Sequence, residues 1–322
     1  MMSGAFAQDV HFSQFFSVPL TISPSNTGNF DGDWRVYGIY RSQWKQITKP
    51  YTTFSVGGDA QIYAGGEKFS AGLYVINDKS GGSLKVNKIM GSLAYHKQIS
   101  KHVFHVGVQP GYVLKSNDYM NETFPSQMNW ETGGFDKSLA NNETGMSTNL
   151  SYLDVNAGAG YSFDMKRFRP YVAFAMFHLN KPKESFVGGD NKLSPRTVIS
   201  GGAYWFVLPK FTIAPGIVHT STKKASEFLA GANFYYSLGK DYSLSKTIFL
   251  GSYIRHGFSN ITDANYYALG MTMSGYTACV SYDINISELK VASNNRGAFE
   301  ISLIYTGLNT RSSKTQVPCD RY

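Results

Sequence analysis

Seven histidines, two cysteines and a scatter of carboxylates are the residues of this 322-residue chain that could hold a metal or carry catalysis. Their spacing supports neither. His102 and His105 are three apart in an alternating segment and project to opposite faces of one strand. His96 lies across a two-residue turn, which places it to approach His102. No carboxylate trio completes a ligand set around them. A lipid-acting hydrolase would need a serine, a histidine and an orienting partner. His178, Ser185 and Asn180 are near one another in sequence, but "NKPKE" between them reads as a proline-containing loop. The glycines of "VGGDAQIYAGGEKFSAG" fall in strand and turn positions and form no phosphate cradle. Catalytic residues, metal and cofactor are therefore all assigned as none. Cys279 lies in a strand pattern and Cys319 in the tail, so they form no metal-ligand pair, although an exported location permits a disulfide.

The elements that would position these residues are strands. Period-two alternation recurs throughout, most clearly in "NLSYLDVNAGAGYSF", where Leu153, Val155 and Ala157 alternate with Asp154, Asn156 and Gly158. Fourteen segments of this kind are predicted, at 33–42, 51–64, 68–77, 84–98, 102–115, 148–163, 168–178, 196–208, 210–221, 226–238, 243–257, 264–273, 276–287 and 297–308. Many exceed the five or six residues usual in soluble sheets and are long enough to cross a bilayer at a tilt. Connections run long, short, long, short: the 32-residue stretch 116–147 is followed by "DMKR", and "NKPKESFVGGDNKLSP" by "LPK". Charged residues are only 16% of the chain, and no run of 18 apolar residues exists. These features predict an all-β fold: an antiparallel transmembrane β-barrel of about 14 strands, with both termini on the periplasmic, short-turn side.

The formal charge of +8 comes from scattered Lys and Arg with no dense basic tract, which argues against nucleic-acid binding. Ala5-Phe6-Ala7 has the form of a signal-peptidase site, so residues 1–7 read as the end of an export signal and Gln8 as the mature start. Residues 8–32 form an aromatic arm packing on or in the barrel from the periplasmic side, anchored by Phe12, Phe15 and Phe16. Residues 33–309 are the barrel and 310–322 a periplasmic tail. Trp34, Tyr37, Trp44, Tyr51, Trp205 and Phe206 are expected in interface girdles. Arg41, Gln43, Trp44 and Tyr51 form a candidate outer-rim cluster; in the alternative reading Trp44 is an interface anchor and Arg41 pairs with a lumen carboxylate such as Asp59. Asp59, Asp154, Asp283 and Glu300 occupy polar strand faces and are expected to be neutralised inside the barrel by Arg35, Arg41 and Arg255.

The ordered combination of motifs resembles the PorP/SprF family of type IX secretion membrane proteins of Bacteroidetes. "QDVHFSQFF" and "PLTISPSNTG" carry the family opening through Asp9, His11, Phe12, Ser13, Gln14, Phe15, Pro19, Leu20, Pro24, Thr27 and Gly28. The "YR.QW" segment is met by Tyr40, Arg41, Gln43 and Trp44. "HLN.P..SF" is met by His178, Leu179, Asn180, Pro182, Ser185 and Phe186, and "SYD.N.S.L" by Ser281, Tyr282, Asp283, Asn285, Ser287 and Leu289. The closing "CDRY" keeps Cys319, Arg321 and Tyr322, with Asp320 where the family has Pro; Val10 likewise replaces Pro. The resemblance implies a non-enzymatic barrel in the cell outer membrane. It would dock or anchor a secreted adhesin bearing a C-terminal sorting domain, with a link to gliding motility. Long loops, including the motif His178, Asn180, Pro182, Ser185 and Phe186, would contact the cargo. Outer-membrane lipid, other type IX envelope components and a peptidoglycan-associated periplasmic protein complete the implied partners. On the residues alone a diffusive porin, and more remotely a lipid-modifying enzyme, stay open.

Overall fold

The computed structural model describes residues 10–43, 50–118, 122–140, 147–186, 189–223, 225–239, 244–257, 262–286 and 296–307. Alternating segments rich in aromatic and β-branched residues extend as strands, because such side chains pack well on a pleated surface. The strands are β1 (Trp34–Gln43), β2 (Tyr51–Ala64), β3 (Glu67–Ser80), β4 (Leu84–Ile99), β5 (His102–Asn117), β8 (Asn149–Phe163), β9 (Phe168–Phe177) and β10 (Arg196–Leu208). They continue as β11 (Phe211–Thr222), β12 (Ala225–Ser237), β13 (Thr247–His256), β14 (Thr262–Met273), β15 (Tyr276–Asn285) and β16 (Arg296–Thr306). These fourteen close into one antiparallel barrel, β1 pairing with β16. Two further strands, β6 (Met128–Asn129) and β7 (Gly134–Phe135), form a small hairpin within the connection from β5 to β8. Closure leaves no open sheet edge, as a hydrocarbon surround requires of a spanning sheet.

Tight turns lie at one end. Gly65 and Gly66 join β2 to β3 and Ser274 with Gly275 joins β14 to β15, all four at positive φ, which matches the twist of a hairpin. The two longest connections, β5 to β8 and β9 to β10, lie at the other end, but the expected sorting by length is not complete: only three residues join β3 to β4 at that end, and nine join β12 to β13 at the tight-turn end. Burial is inverted relative to a soluble protein: Leu153 is 66% exposed and Val108 51%, while the intervening Asp154 and Gln109 are 2% and 0%. The outside is apolar and the interior polar, the pattern of a barrel whose outer wall meets lipid. Trp34, Tyr63, Phe69, Trp205 and Tyr276 are exposed near the short-turn end, with Tyr40, Tyr112 and Tyr282 toward the other. Phe104 and Tyr112 are eight residues apart on β5, about 20 Å along the barrel axis at ~3.3 Å per residue and ~40° tilt.

Two girdle assignments are corrected. Tyr37 and Phe206 are 2% and 4% exposed and face the lumen, because strand parity sets them opposite the outward Trp34 and Trp205. Trp44 lies outside the described residues.

Depth should govern tolerance to charge. Val108→Arg, in the middle of the outward face, is expected to cost about 2–4 kcal/mol, and Asn149→Arg, at the long-loop end, about 0–1 kcal/mol. Urea unfolding in lipid vesicles, followed by heat-modifiable migration, measures both; equal costs would contradict the membrane-spanning reading.

Candidate functional site

The arm preceding β1 runs through the barrel. Residues 15–17, 19–21 and 24–26 each make one 3-10 turn, the second and third begun by Pro19 and Pro24, whose fixed φ suits a first helical position. Between them the chain contacts strands around the whole circumference. Phe12, Val18 and Leu20 pack with Tyr37, Ile39, Tyr74, Ile76 and Met90 on one side. Phe15 packs against Tyr253 on the other, ring centroids 5.6 Å apart and nearly perpendicular, and Phe16 lies 6.1 Å from Phe249. Ser23 and Pro24 sit against the backbone of Gly158 and Gly107, where a Cβ would collide.

Buried carboxylates grip this arm by its backbone. Both oxygens of Glu300, a residue with no exposed surface, accept hydrogen bonds from consecutive amides, Ser13 N and Gln14 N, each at 2.8 Å. Arg41 pairs with the same carboxylate. Ser13 Oγ donates to Asp283 at 2.8 Å and accepts from Arg41 Nη1 at 2.8 Å and Arg255 Nη1 at 3.1 Å. Arg255 Nη1 lies 3.0 Å from Asp283. Gln14 donates to Ser281 and accepts from Ser302. Two arginines thus neutralise two carboxylates around one serine, which is the condition for keeping such charges out of water.

A second grip holds the other end of the arm. Asp59 accepts from Gly28 N at 2.7 Å and takes a bidentate pair from Arg35, at 2.9 and 2.7 Å. Gly28 has φ +68°, and a Cβ there would collide with Ser70. Thr27 bonds Ser92, and its carbonyl meets His96 Nε2 at 2.8 Å. His96 Nδ1 lies 2.6 Å from His105 Nδ1, and His105 Nε2 3.0 Å from Ser162. A third network reaches the arm from the wall. His178 Nδ1 bonds Asp154 at 2.9 Å and its amide donates to Asn156, Asn156 donates to Gln109, and Gln109 donates to Leu20 O.

Several expectations are corrected by these positions. Arg41 does pair with lumen carboxylates, but these are Glu300 and Asp283 and not Asp59: it is 2% exposed in the lumen, and Asp59 belongs to Arg35, its direct partner in register between β1 and β2. Gln43 accepts from Arg41 at 3.2 Å and is directly opposite Tyr51. His105, not His102, meets His96, because a two-residue turn sets residue 96 opposite residue 105; His102 instead bonds Tyr161 on the exposed side. The arm does not stay on the short-turn side either. Ser13 meets Arg41, Arg255 and Asp283, all within two residues of the long-loop ends of their strands, so the described part of the arm begins in that half and descends to Trp34.

The loop motif is built into the wall. Asn180 accepts from Val155 N and donates to Leu153 O, and Leu179 N donates to Val155 O. These bonds cap the edge of β8 beyond the point where its pairing with β9 ends at Ala157. Pro182 is buried and accepts from Leu193 N, Ser185 Oγ accepts from Gly189 N, and Phe186 O accepts from Ser147 N. His11 is half-buried, 3.7 Å from Glu227. Asp9, Ser287, Leu289, Cys319, Arg321 and Tyr322 lie outside the described residues, and Cys279 is a buried free cysteine. Among the described residues, no group of three or more His, Cys, Asp or Glu is placed to hold a metal ion.

With this lumen described, the comparison with families is decisive. The model for "Type IX secretion system membrane protein PorP/SprF" matches residues 4–305. The chain belongs to the PorP/SprF family. It is accordingly an outer-membrane barrel of the type IX secretion class. No curated protein matches this PorP/SprF chain in sequence. Among solved structures it is similar to the TodX deltaS2S3 mutant monoaromatic hydrocarbon channel, with TM-score 0.51 and 10% identity over 88% of this chain and 92% of that one. The CymD monoaromatic hydrocarbon channel gives TM-score 0.50 and 8% identity over 92% and 94%. At such identities the likeness is one of fold.

Removing one side of the Glu300 grip should be costly. Glu300→Ala leaves the buried Arg41 with only the longer contact to Asp283, at 3.4 Å, and strips the Ser13 and Gln14 amides of their acceptor, and a loss of about 3–5 kcal/mol in urea unfolding is expected. Gly28→Ala should also destabilise, by roughly 1 kcal/mol or more from the positive φ alone, whereas Gly133→Ala, with open space around its Cβ position, should cost only the φ penalty.

Proposed function

We propose that this PorP/SprF barrel acts as a closed docking element that receives or anchors a type IX cargo, a surface adhesin with a C-terminal sorting domain, gliding adhesins among them. The observation that carries the reading is the arm in the lumen. Residues 12–28 are tied to wall strands by Glu300, Asp283, Asp59 and Gln109. A barrel occupied in this way acts through its surfaces, and the diffusive-pore alternative loses its support.

In bacterial outer-membrane barrels tight turns face the periplasm and long loops the exterior. Cargo contact is therefore assigned to the long-loop end, and secretion components to the short-turn end and the tail. The two long loops divide the work. The loop after β9 is fastened over the mouth: Glu184 accepts from Lys115 at 2.6 Å and from Tyr152 at 2.9 Å, and Leu193 packs on Val86, Val113 and Tyr152. The loop after β5 instead presents the β6–β7 hairpin with Trp130 85% exposed and Phe135 and Leu139 beside it in sequence also exposed. A large exposed aromatic on an ordered turn is the kind of anchor that buries on binding a partner.

Deleting residues 122–140 is expected to release cargo from the cell surface into the medium while the barrel stays heat-modifiable in the membrane. Cargo that remains attached would refute a docking role for this loop. In planar bilayers the intact chain should be silent, and steady conductance would favour a pore.

A further inference from the structure

Lys79 on β3 and Lys85 on β4 are direct partners in register, and both are exposed on the outward side of the barrel. Like charges directly opposite on one sheet face repel. Among the described residues, neither lysine has a carboxylate partner in an ion pair. An anion lying between or above the two ammonium groups would relieve that repulsion.

Its height specifies what kind of anion. Lys79 is ten residues along β3 from the exposed girdle residue Phe69, about 25 Å along the barrel axis at ~3.3 Å per residue and ~40° tilt, the height of the apolar band of such barrels. Two steps nearer the membrane, the outward row is apolar: Val75, Ile89, Tyr112 and Leu153 follow one another in register across β3, β4, β5 and β8. Between that row and the lysines lie neutral hydrogen-bonding groups, with Asn77 donating to Asn87 at 2.6 Å and Tyr112 to Ser151 at 2.8 Å. An open depression of about 350 Å³ lies beside them, lined by Asn87, Ser116, Asn149 and Ser151 together with Leu114, Leu150 and Lys115.

We propose that this face binds a phosphorylated glycolipid of the outer leaflet. The phosphate bridges Lys79 and Lys85, sugar hydroxyls enter the depression beside the amides and serines, and acyl chains lie along the apolar row. A soluble anion would use the lysines but not the apolar row, and an acidic protein would leave that row to ordinary lipid. The order of anionic, polar and apolar contacts down one wall fits a single amphipathic molecule.

The test uses the full-length chain in detergent, with native mass spectrometry of retained lipid. The probes are lipid A bearing its phosphates, the same lipid dephosphorylated, and inorganic phosphate. Two lost surface charges correspond to roughly thirtyfold weaker binding, so Lys79→Gln/Lys85→Gln should reduce retention of phosphorylated lipid A by about that factor. The dephosphorylated lipid should bind the intact chain as weakly as phosphorylated lipid binds the double variant, and inorganic phosphate should not displace the lipid. Lys97→Gln, at the short-turn end, should bind as the intact chain does, with heat-modifiable migration confirming the fold of each variant. The proposal is overturned if the double variant retains lipid A undiminished, if dephosphorylated lipid binds equally well, or if inorganic phosphate displaces it.

Discussion

The contact on which the rest of the structure depends is the carboxylate of Glu300, buried in the lumen toward the long-loop end, closed by Arg41 and by the amides of Ser13 and Gln14. A charge removed from water must meet opposite charge and hydrogen-bond donors, or it shifts to the neutral form or unfolds its surroundings. Here the donors come from the arm, so wall and arm each satisfy what the other lacks. Without the arm, the inward face would hold carboxylates and arginines around an open channel. Without the wall, the arm would have only three isolated 3-10 turns and no regular partner for its backbone.

The same constraint explains how the halves of the lumen differ. Where arm side chains are aromatic, the wall offers Tyr253, Tyr266 and Phe249, with Tyr253 and Tyr266 stacked 4.8 Å apart. Where the arm offers only backbone or hydroxyl groups, the wall offers Asp59, Ser92, His96 and Gln109. Glycines at 107 and 158 mark where arm and wall come too close for any side chain. The outside follows a different rule, set by lipid: apolar across the middle, aromatic toward both ends, and polar beyond the hydrocarbon, as at Asn77, Lys79 and Lys85.

Much of this was legible in the residues. Alternation over ten or more positions is sufficient for a tilted barrel, and all fourteen barrel strands overlap the segments that the alternation marks, although the connections do not keep the expected order of long and short. The inward position of Asp154, Asp283 and Glu300 follows from parity alone. What parity does not give is the partner. Arg41 and Arg35 face the same way from one strand, and only register decides that Arg35 is opposite Asp59 while Arg41 is opposite Thr53 and beside Glu300. The pairing of His96 with His105 was within reach of the same arithmetic across the two-residue turn. The motif around His178 and Asn180 reads as a loop displayed to solvent, yet its polar groups are needed to cap β8, a demand that exists only because β9 is shorter than its neighbour.

The sequence by itself determined that this chain is a closed sheet with an apolar exterior, and which residues turn inward, because a period of two and a lipid surround leave little choice. Its ordered motifs also placed it in its family. Only the tertiary structure decided that the arm enters the lumen, which end of it lies near the long loops, and which carboxylate holds which amide. Those contacts join residues from 31 positions apart, as Gly28 to Asp59, to 287, as Ser13 to Glu300, and no local periodicity carries information over such separations.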